Sequence, residues 1–282
     1  MSFSGVLGFF SVRPLNPVGD DGRMALGDHL REFRGRLVRC VTVLVVLFAV
    51  SLFFYEALLD VVLAPYNDAR EALGESTETQ AYVKGATGPL LLQLKLCGVA
   101  ALVVASPFWL YQLWAFIMPG LHDSEKKWTR LFAAIAGPLF FVGVATGYYV
   151  LPKGLEVLIG FTPDGLENLV EFGEYFSFLT RMLLVFGISF EIPLFVIMLN
   201  LAGVVTGKQL GRYRAWIILG TFIFAAVATP STDPFSMIML ALPMLVLFLV
   251  AEVIARWVDR ARGKRRPATG TDRWDDDAVS DL

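Results

Sequence analysis

Three carboxylates in this chain stand where a carboxylate could do chemistry. Glu191 lies inside the apolar run "VFGISFEIPLF", Glu32 within "LGDHLREFRGRL" and Glu125 within "LHDSEKKW". Glu191 is the costliest to keep, because a charge near a bilayer centre costs about 2.5–3.5 kcal/mol on insertion scales. Pro193, two residues on, frees the carbonyl of Ser189 and makes a polar notch beside it. Nothing basic lies at matching depth, so Glu191 is either protonated or wetted within a concave face. Glu32 shares a helix face with His29 and Arg36. Its plainest account is a Glu32–Arg36 pair behind an Asp28 cap, worth a few tenths of a kcal/mol. Glu125 sits on a basic loop, where solvated charge is the default.

Other chemistries lack their groups. No nucleotide-binding loop, nucleophile elbow or zinc signature occurs, and the two histidines, His29 and His122, fall outside the apolar segments. Intramembrane hydrolysis would need a base beside a nucleophile. The reading is therefore not an enzyme, with no catalytic residue, metal site or cofactor, and nothing points to nucleic acid. Cys40 and Cys97 start two successive spans that run in opposite directions. They lie near opposite faces of the membrane, too far apart to bridge.

The elements that must position these groups are membrane helices. The chain is 56% hydrophobic with mean hydropathy +0.61, above the range of soluble domains. Apolar windows predict helices over about 37–55, 91–118, 131–150, 175–201, 216–228 and 236–254. The fifth, "WIILGTFIFAAVA", reaches only about 20 Å at about 1.5 Å per residue, short of a hydrocarbon core of about 30 Å. Charge settles its direction. Nineteen Lys and Arg lie in the segment before span one, the 119–130 and 204–215 loops and the tail, against three in the other loops. That asymmetry predicts six crossings with both termini cytoplasmic. The fifth helix then crosses with local bilayer thinning around "TPSTDPF". Pro107, Pro138, Pro193 and Pro243 each fall in a different span and are expected to kink it. Loops at 56–90 and 151–174 are expected to cover the outer face. Residues 1–23 read as a disordered extension, with Met24 an alternative start to Met1. Residues 256–282 read as a charged, disordered tail.

Four ordered stretches, "HLREFRGRL", "SPFWLYQLWAFIMPGLHDSEKKW", "FGISFEIP" and "TPSTDPFSMIMLALP", resemble the signatures of the TatC family, the large subunit of the twin-arginine translocase. The resemblance covers about residues 24–255. It implies an all-α membrane protein of six helices in a curved, cup-shaped bundle in the cytoplasmic membrane. It also implies a receptor for twin-arginine signal peptides that exports folded proteins using the proton-motive force. The partners so implied are single-span subunits of the TatA and TatB types, with self-association. By the same resemblance Glu32 and Glu125 match carboxylates that contact the peptide's arginines, and Arg34 the essential arginine of the first motif. Phe116 matches the aromatic before the loop, Pro65 the proline of the first external loop, Glu191 the intramembrane glutamate and Asp233 the acid of the last external loop. The chemistry agrees, since carboxylates bind guanidinium bidentately in a way no lysine reproduces. Glu191 would then offer a polar contact to an inserting partner helix, worth about 0.6–2 kcal/mol.

The chain departs from the family pattern in three places. Phe33 replaces a leucine, "TPSTDPFSM" is longer than the common form, and Met237 stands where a polar glutamine is frequent. Two competing readings are an ion-coupled secondary transporter with Glu191 as its coupling site, and a scaffold without transport. The transporter predicts inverted repeats and ionisable groups facing Glu191. The spans offer only Lys95 and Arg181 toward the outer end and Glu252 at the cytoplasmic end.

Overall fold

The computed structural model describes residues 26–74, 79–117, 126–163, 166, 168–201, 203–228 and 234–265. Every expected apolar window is helical. Helix α1 (Leu26–Phe53) is followed by α2 (Tyr55–Leu73), α3 (Gly88–Val104), α4 (Ser106–Ile117) and α5 (Lys126–Gly160). Then come α6 (Phe172–Phe190), α7 (Ile192–Leu201), the short α8 (Gly207–Arg212), α9 (Arg214–Ala228) and α10 (Pro234–Arg265). The fold is an all-α membrane bundle. Four helices are each long and apolar enough to cross a membrane, α6 and α7 counting as one, and the bent pair α3–α4 makes a fifth. Helix α9 is apolar but has only 15 residues, about 22 Å of rise.

Two of the four expected proline kinks are interruptions. Helices α3 and α4 meet at Ala105 with a bend of 56°, where Pro107 lacks the N–H that would continue the ladder. Gly137 of α5 sits so close to this bend that a Cβ there would lie 2.8 Å from Pro107 Cβ. The break between α6 and α7 falls at Glu191, just before Pro193. In contrast, α5 runs through Pro138 and Pro152, and α10 through Pro243. Neighbouring helices can re-satisfy the backbone at such positions.

The segments expected as outer loops hold more structure than hydropathy foretells. Residues 55–73 form α2 rather than loop, and α5 continues to Gly160. Strand β1 (Thr79–Tyr82) pairs in parallel with β2 (Asn168–Glu171), Thr79 opposite Asn168. Tyrosines fasten this end. Tyr175 donates to the Val62 carbonyl at 2.6 Å, Tyr148 to the Val61 carbonyl at 2.7 Å, and Tyr66 meets the Thr79 hydroxyl at 3.0 Å. Pro65 is buried on the same stripe of α2 as Val62, Tyr66 and Ala69, so it is a packing residue here. At the opposite end of the chain, α10 extends to Arg265, so residues 256–265 are helical where the charge pattern predicts tail.

The cores follow from close helix crossings. Added Cβ atoms at Gly143 and Gly187 would lie 2.6 Å from the Phe186 carbonyl oxygen and from the Phe140 ring. Only glycine lets α5 and α6 approach so closely. The largest cluster joins α2, α3, α5, α6 and α10 around Leu151, Leu179, Phe186 and Leu240. A second joins α4, α5 and α7 around Trp114, Phe140 and Leu194. Cys97 is buried and Cys40 half-buried, both as free thiols.

Candidate functional site

Helix α1 is inside out compared with an amphipathic helix in water. Leu30, Phe33 and Leu37, its apolar stripe, are exposed, whereas Glu32 and Arg36 on the polar stripe are 1% and 4% exposed. In a membrane this is the sensible orientation, because lipid covers leucine as well as a protein core does. The periodicity of "HLREFRGRL" is as expected. Protein rather than water covers Glu32.

Glu32 Oε1 accepts from Arg36 Nε at 3.0 Å and from Arg36 Nη2 at 2.6 Å. Arg36 Nη1 donates to Gln112 Oε1 at 2.8 Å, which ties α1 to α4. Glu32 Oε2 and Gln112 Nε2 remain buried without a hydrogen-bond partner among the described residues. One turn beyond Gln112, the Phe116 ring stacks on His29, with centroids 4.4 Å apart, and tilts against Phe33 at 5.3 Å. Arg34 points away from this network and is exposed. Glu125 and Asp233 lie outside the described residues.

Helix α4 is the wedge that joins this network to Glu191. Gln112 and Phe116 are one turn apart and face α1, while Trp114, between them, lies on the opposite side against α7. The Trp114 ring lies 6.2 Å from that of Phe195, and its indole N–H approaches the Glu191 carboxylate. No hydrogen bond of ordinary geometry joins them. Both Glu191 oxygens and Trp114 Nε1 are buried and have no hydrogen-bond partner among the described residues. Glu191 is 9% exposed, and none of the ion pairs among the described residues involves it. The backbone turn that carries it is regular, with Glu191 N–H donating to the Ile188 carbonyl at 3.0 Å.

Gln112 and Trp114 were not singled out in the sequence, although both sit in the "SPFWLYQLWAFIMPG" stretch. Gln112 is the detectable one, an amide in an apolar helix. Met237, at the position where glutamine is frequent, packs partly buried against the main core. Among the described residues no group of three or more His, Cys, Asp or Glu could hold a metal ion. The transporter reading gains nothing, since Lys95 and Arg181 are exposed and Glu252 is already paired. Its carboxylate takes Arg214 Nε at 3.0 Å, Arg214 Nη2 at 2.8 Å and Arg256 Nη2 at 2.6 Å.

Comparison with known proteins places this geometry. The family model of the Sec-independent protein translocase protein TatC matches residues 28–243. A TatC from Frankia casuarinae is 40% identical over 269 residues, covering 93% of this chain and 74% of the relative. One from Xylanimonas cellulosilytica is 37% identical over 246 residues, covering 87% and 88%. A crystal structure of the twin-arginine translocase receptor TatC superposes with a TM-score of 0.69 at 28% identity, covering 82% of this chain and all of that one.

Proposed function

The chain belongs to the TatC family, membrane components of the Sec-independent protein translocase, and from that premise we propose that it is the translocase's receptor for twin-arginine signal peptides. As a translocase component it is a membrane transport protein and not an enzyme. The observation that carries the receptor reading is the half-used carboxylate of Glu32. One oxygen is held by Arg36, and the other is buried and, among the described residues, unclaimed; the aromatic shelf of Phe116, His29 and Phe33 is built from the same two helices as this network. A guanidinium reaching Glu32 Oε2 would gain a charge-assisted bond of about 1.5–3 kcal/mol. Its methylene stem would lie on the aromatic shelf, where cation–π attraction adds to packing.

Arg36 and Gln112 have a definite part in this reading. They fix the Glu32 rotamer and keep its charge compensated while no peptide is bound, because an uncompensated buried carboxylate is expensive. Glu125 would supply the second acceptor that a pair of arginines needs, and Arg34, exposed on the next face of α1, would meet acidic or carbonyl groups of the arriving chain. The Lys and Arg distribution supports a cytoplasmic placement of this end, with both termini on the cytoplasmic side of the cytoplasmic membrane.

Glu191 serves a later step. With Trp114 beside it, it is a paired donor and acceptor without partners, suited to a polar side chain on an inserted helix of a TatA- or TatB-type subunit. By the family resemblance Pro65, within α2, and Asp233 belong to the external side. Export of folded cargo would draw on the proton-motive force, and self-association would set several such receptors side by side.

Site-specific crosslinking tests the receptor reading. A photoreactive residue at Phe33 or Phe116 should capture a twin-arginine peptide and capture its twin-lysine counterpart far less. Equal capture of both would remove the recognition claim.

A further inference from the structure

The turn between α7 and α9 packs on α10 through glycines. Added Cβ atoms at Gly207 and Gly211 would lie within 3 Å of Arg256 or Glu252 atoms. Thr206 and Gln209 close a capping box at the start of α8. The result is a cleft of about 440 Å³ lined by Thr206, Lys208, Gln209, Gly211, Arg212 and Arg256. Its lining contains three cations and no carboxylate. The two neighbouring acids are already spent: Glu252 is 2% exposed beneath Arg214 and Arg256. Asp259 accepts from Asn200 Nδ2 and from the Gly207 N–H, each at 2.7 Å.

The surroundings identify what such a cleft would hold. Tyr213, Trp216 and Trp257 flank it with relative exposures of 55%, 73% and 70%. Exposed aromatic rings at the ends of apolar spans mark the depth of lipid headgroups. The cleft lies there by its own position too, at the start of α9 and near the end of the apolar span Met237–Ala261. Along α10, Leu249, Val253, Arg256 and Arg260 recur every three or four residues. The stripe is therefore apolar toward the membrane centre and basic at its edge. Leu249 and Val253 are exposed, giving acyl chains a surface directly below the cations.

We propose that this cleft is a binding site for an anionic phospholipid, its phosphodiester held by Lys208, Arg212 and the free edge of the Arg256 guanidinium, its acyl chains lying along Leu249 and Val253. The buried Glu252 fixes Arg256 in place, and among the described residues no carboxylate lines the cleft to cancel its remaining positive charge. The signal-peptide reading plays no part in this proposal.

The test uses the full chain purified from membranes and reconstituted in mixed phosphatidylglycerol and phosphatidylcholine nanodiscs. Lipid retained after transfer to detergent is counted by native mass spectrometry. Wild type should retain phosphatidylglycerol over phosphatidylcholine. Lys208→Gln with Arg212→Gln should lower that preference about thirtyfold, the equivalent of about 1 kcal/mol of surface attraction for each of the two cations. The control pair Arg70→Gln with Lys84→Gln, exposed at the other end, should change nothing, and all proteins should unfold at the same temperature. Equal preference in the cleft variant and wild type would overturn the proposal. So would an equal loss in the control pair, which would make the effect one of general charge. Displacement of the lipid by excess inorganic phosphate would also overturn it, showing a free-anion site rather than a lipid site.

Discussion

Glu252 and Glu191 are both buried carboxylates in apolar helices, and they have opposite surroundings. Every oxygen of Glu252 is taken by an arginine, whereas neither oxygen of Glu191 has a partner among the described residues. Burial alone therefore says little about role. A paired carboxylate pins helices together, here α9 to α10, and its arginines cannot be spared. An unpaired one is a standing cost to the fold, of about 1–3 kcal/mol for an unsatisfied buried group. In the proposed function that cost is offset when a polar group on an inserted partner helix arrives. Glu32 lies between the two, with one oxygen committed and one free.

The coarsest way to break this comparison is to show that the two carboxylates face different compartments from those assumed. A single cysteine at Gln209, on the Glu252 end, should react only with reagents applied from the cytoplasm, and one at Asn168 only from outside. Labelling of Gln209→Cys from outside would invert the bundle and put the Glu32 site on the wrong side for a receptor.

Next in size, Glu191→Leu should abolish export of folded cargo while leaving signal-peptide binding and thermal stability intact or improved, because two unsatisfied oxygens are removed. Glu191→Gln keeps a hydrogen-bonding group and should retain much of the activity. Wild-type export by the leucine variant would show the polar contact to be dispensable.

Glu252→Gln should do the reverse. Loss of its charge strips the anchor from Arg214 and Arg256, and unfolding in detergent should shift to lower temperature by about 1–3 kcal/mol of stability. The lower end is the better guide, since both arginines are about half exposed. An unchanged melting curve would mean that α9 and α10 are held by packing alone.

The intermediate case is read in binding rather than in stability. Glu32→Ala should weaken peptide binding by about 1.5–3 kcal/mol in a titration, with wild-type affinity also falling as salt rises. Arg36→Gln sharpens the point. It frees Glu32 Oε1 and should make binding more dependent on salt, whereas an Arg36 of purely structural role would leave the salt dependence as in wild type.

What the sequence carries and what it hides divide along physical lines. Spans were legible because their length and apolarity are set by the bilayer, and all six windows are helices. Helix α2 was hidden because a search for spans overlooks a half-polar surface helix. Its buried stripe of Val62, Pro65, Tyr66 and Ala69 nevertheless recurs at helical spacing. Strands β1 and β2 were hidden for a different reason. Four residues each, they exist only through a partner distant in sequence. For Glu32 the periodicity correctly put His29, Glu32 and Arg36 on one face, but periodicity does not say which face turns inward when the solvent is lipid. Gln112 and Trp114 escaped notice because a helix shared between two neighbours uses opposite faces, so neither residue belongs to a single stripe.

The β1–β2 pairing has a consequence for how the molecule is made. Its strands run parallel, and α3, α4 and α5 lie between them in the chain. Residues 79–82 leave the ribosome long before 168–171 exist, and parallel strands cannot close as a local hairpin. This cap can therefore form only after the intervening helices have gone into the bilayer and α5 has returned the chain to the same side. A nascent chain released before Asn168 leaves Thr79–Tyr82 as an unpaired strand edge, open to quality-control proteases.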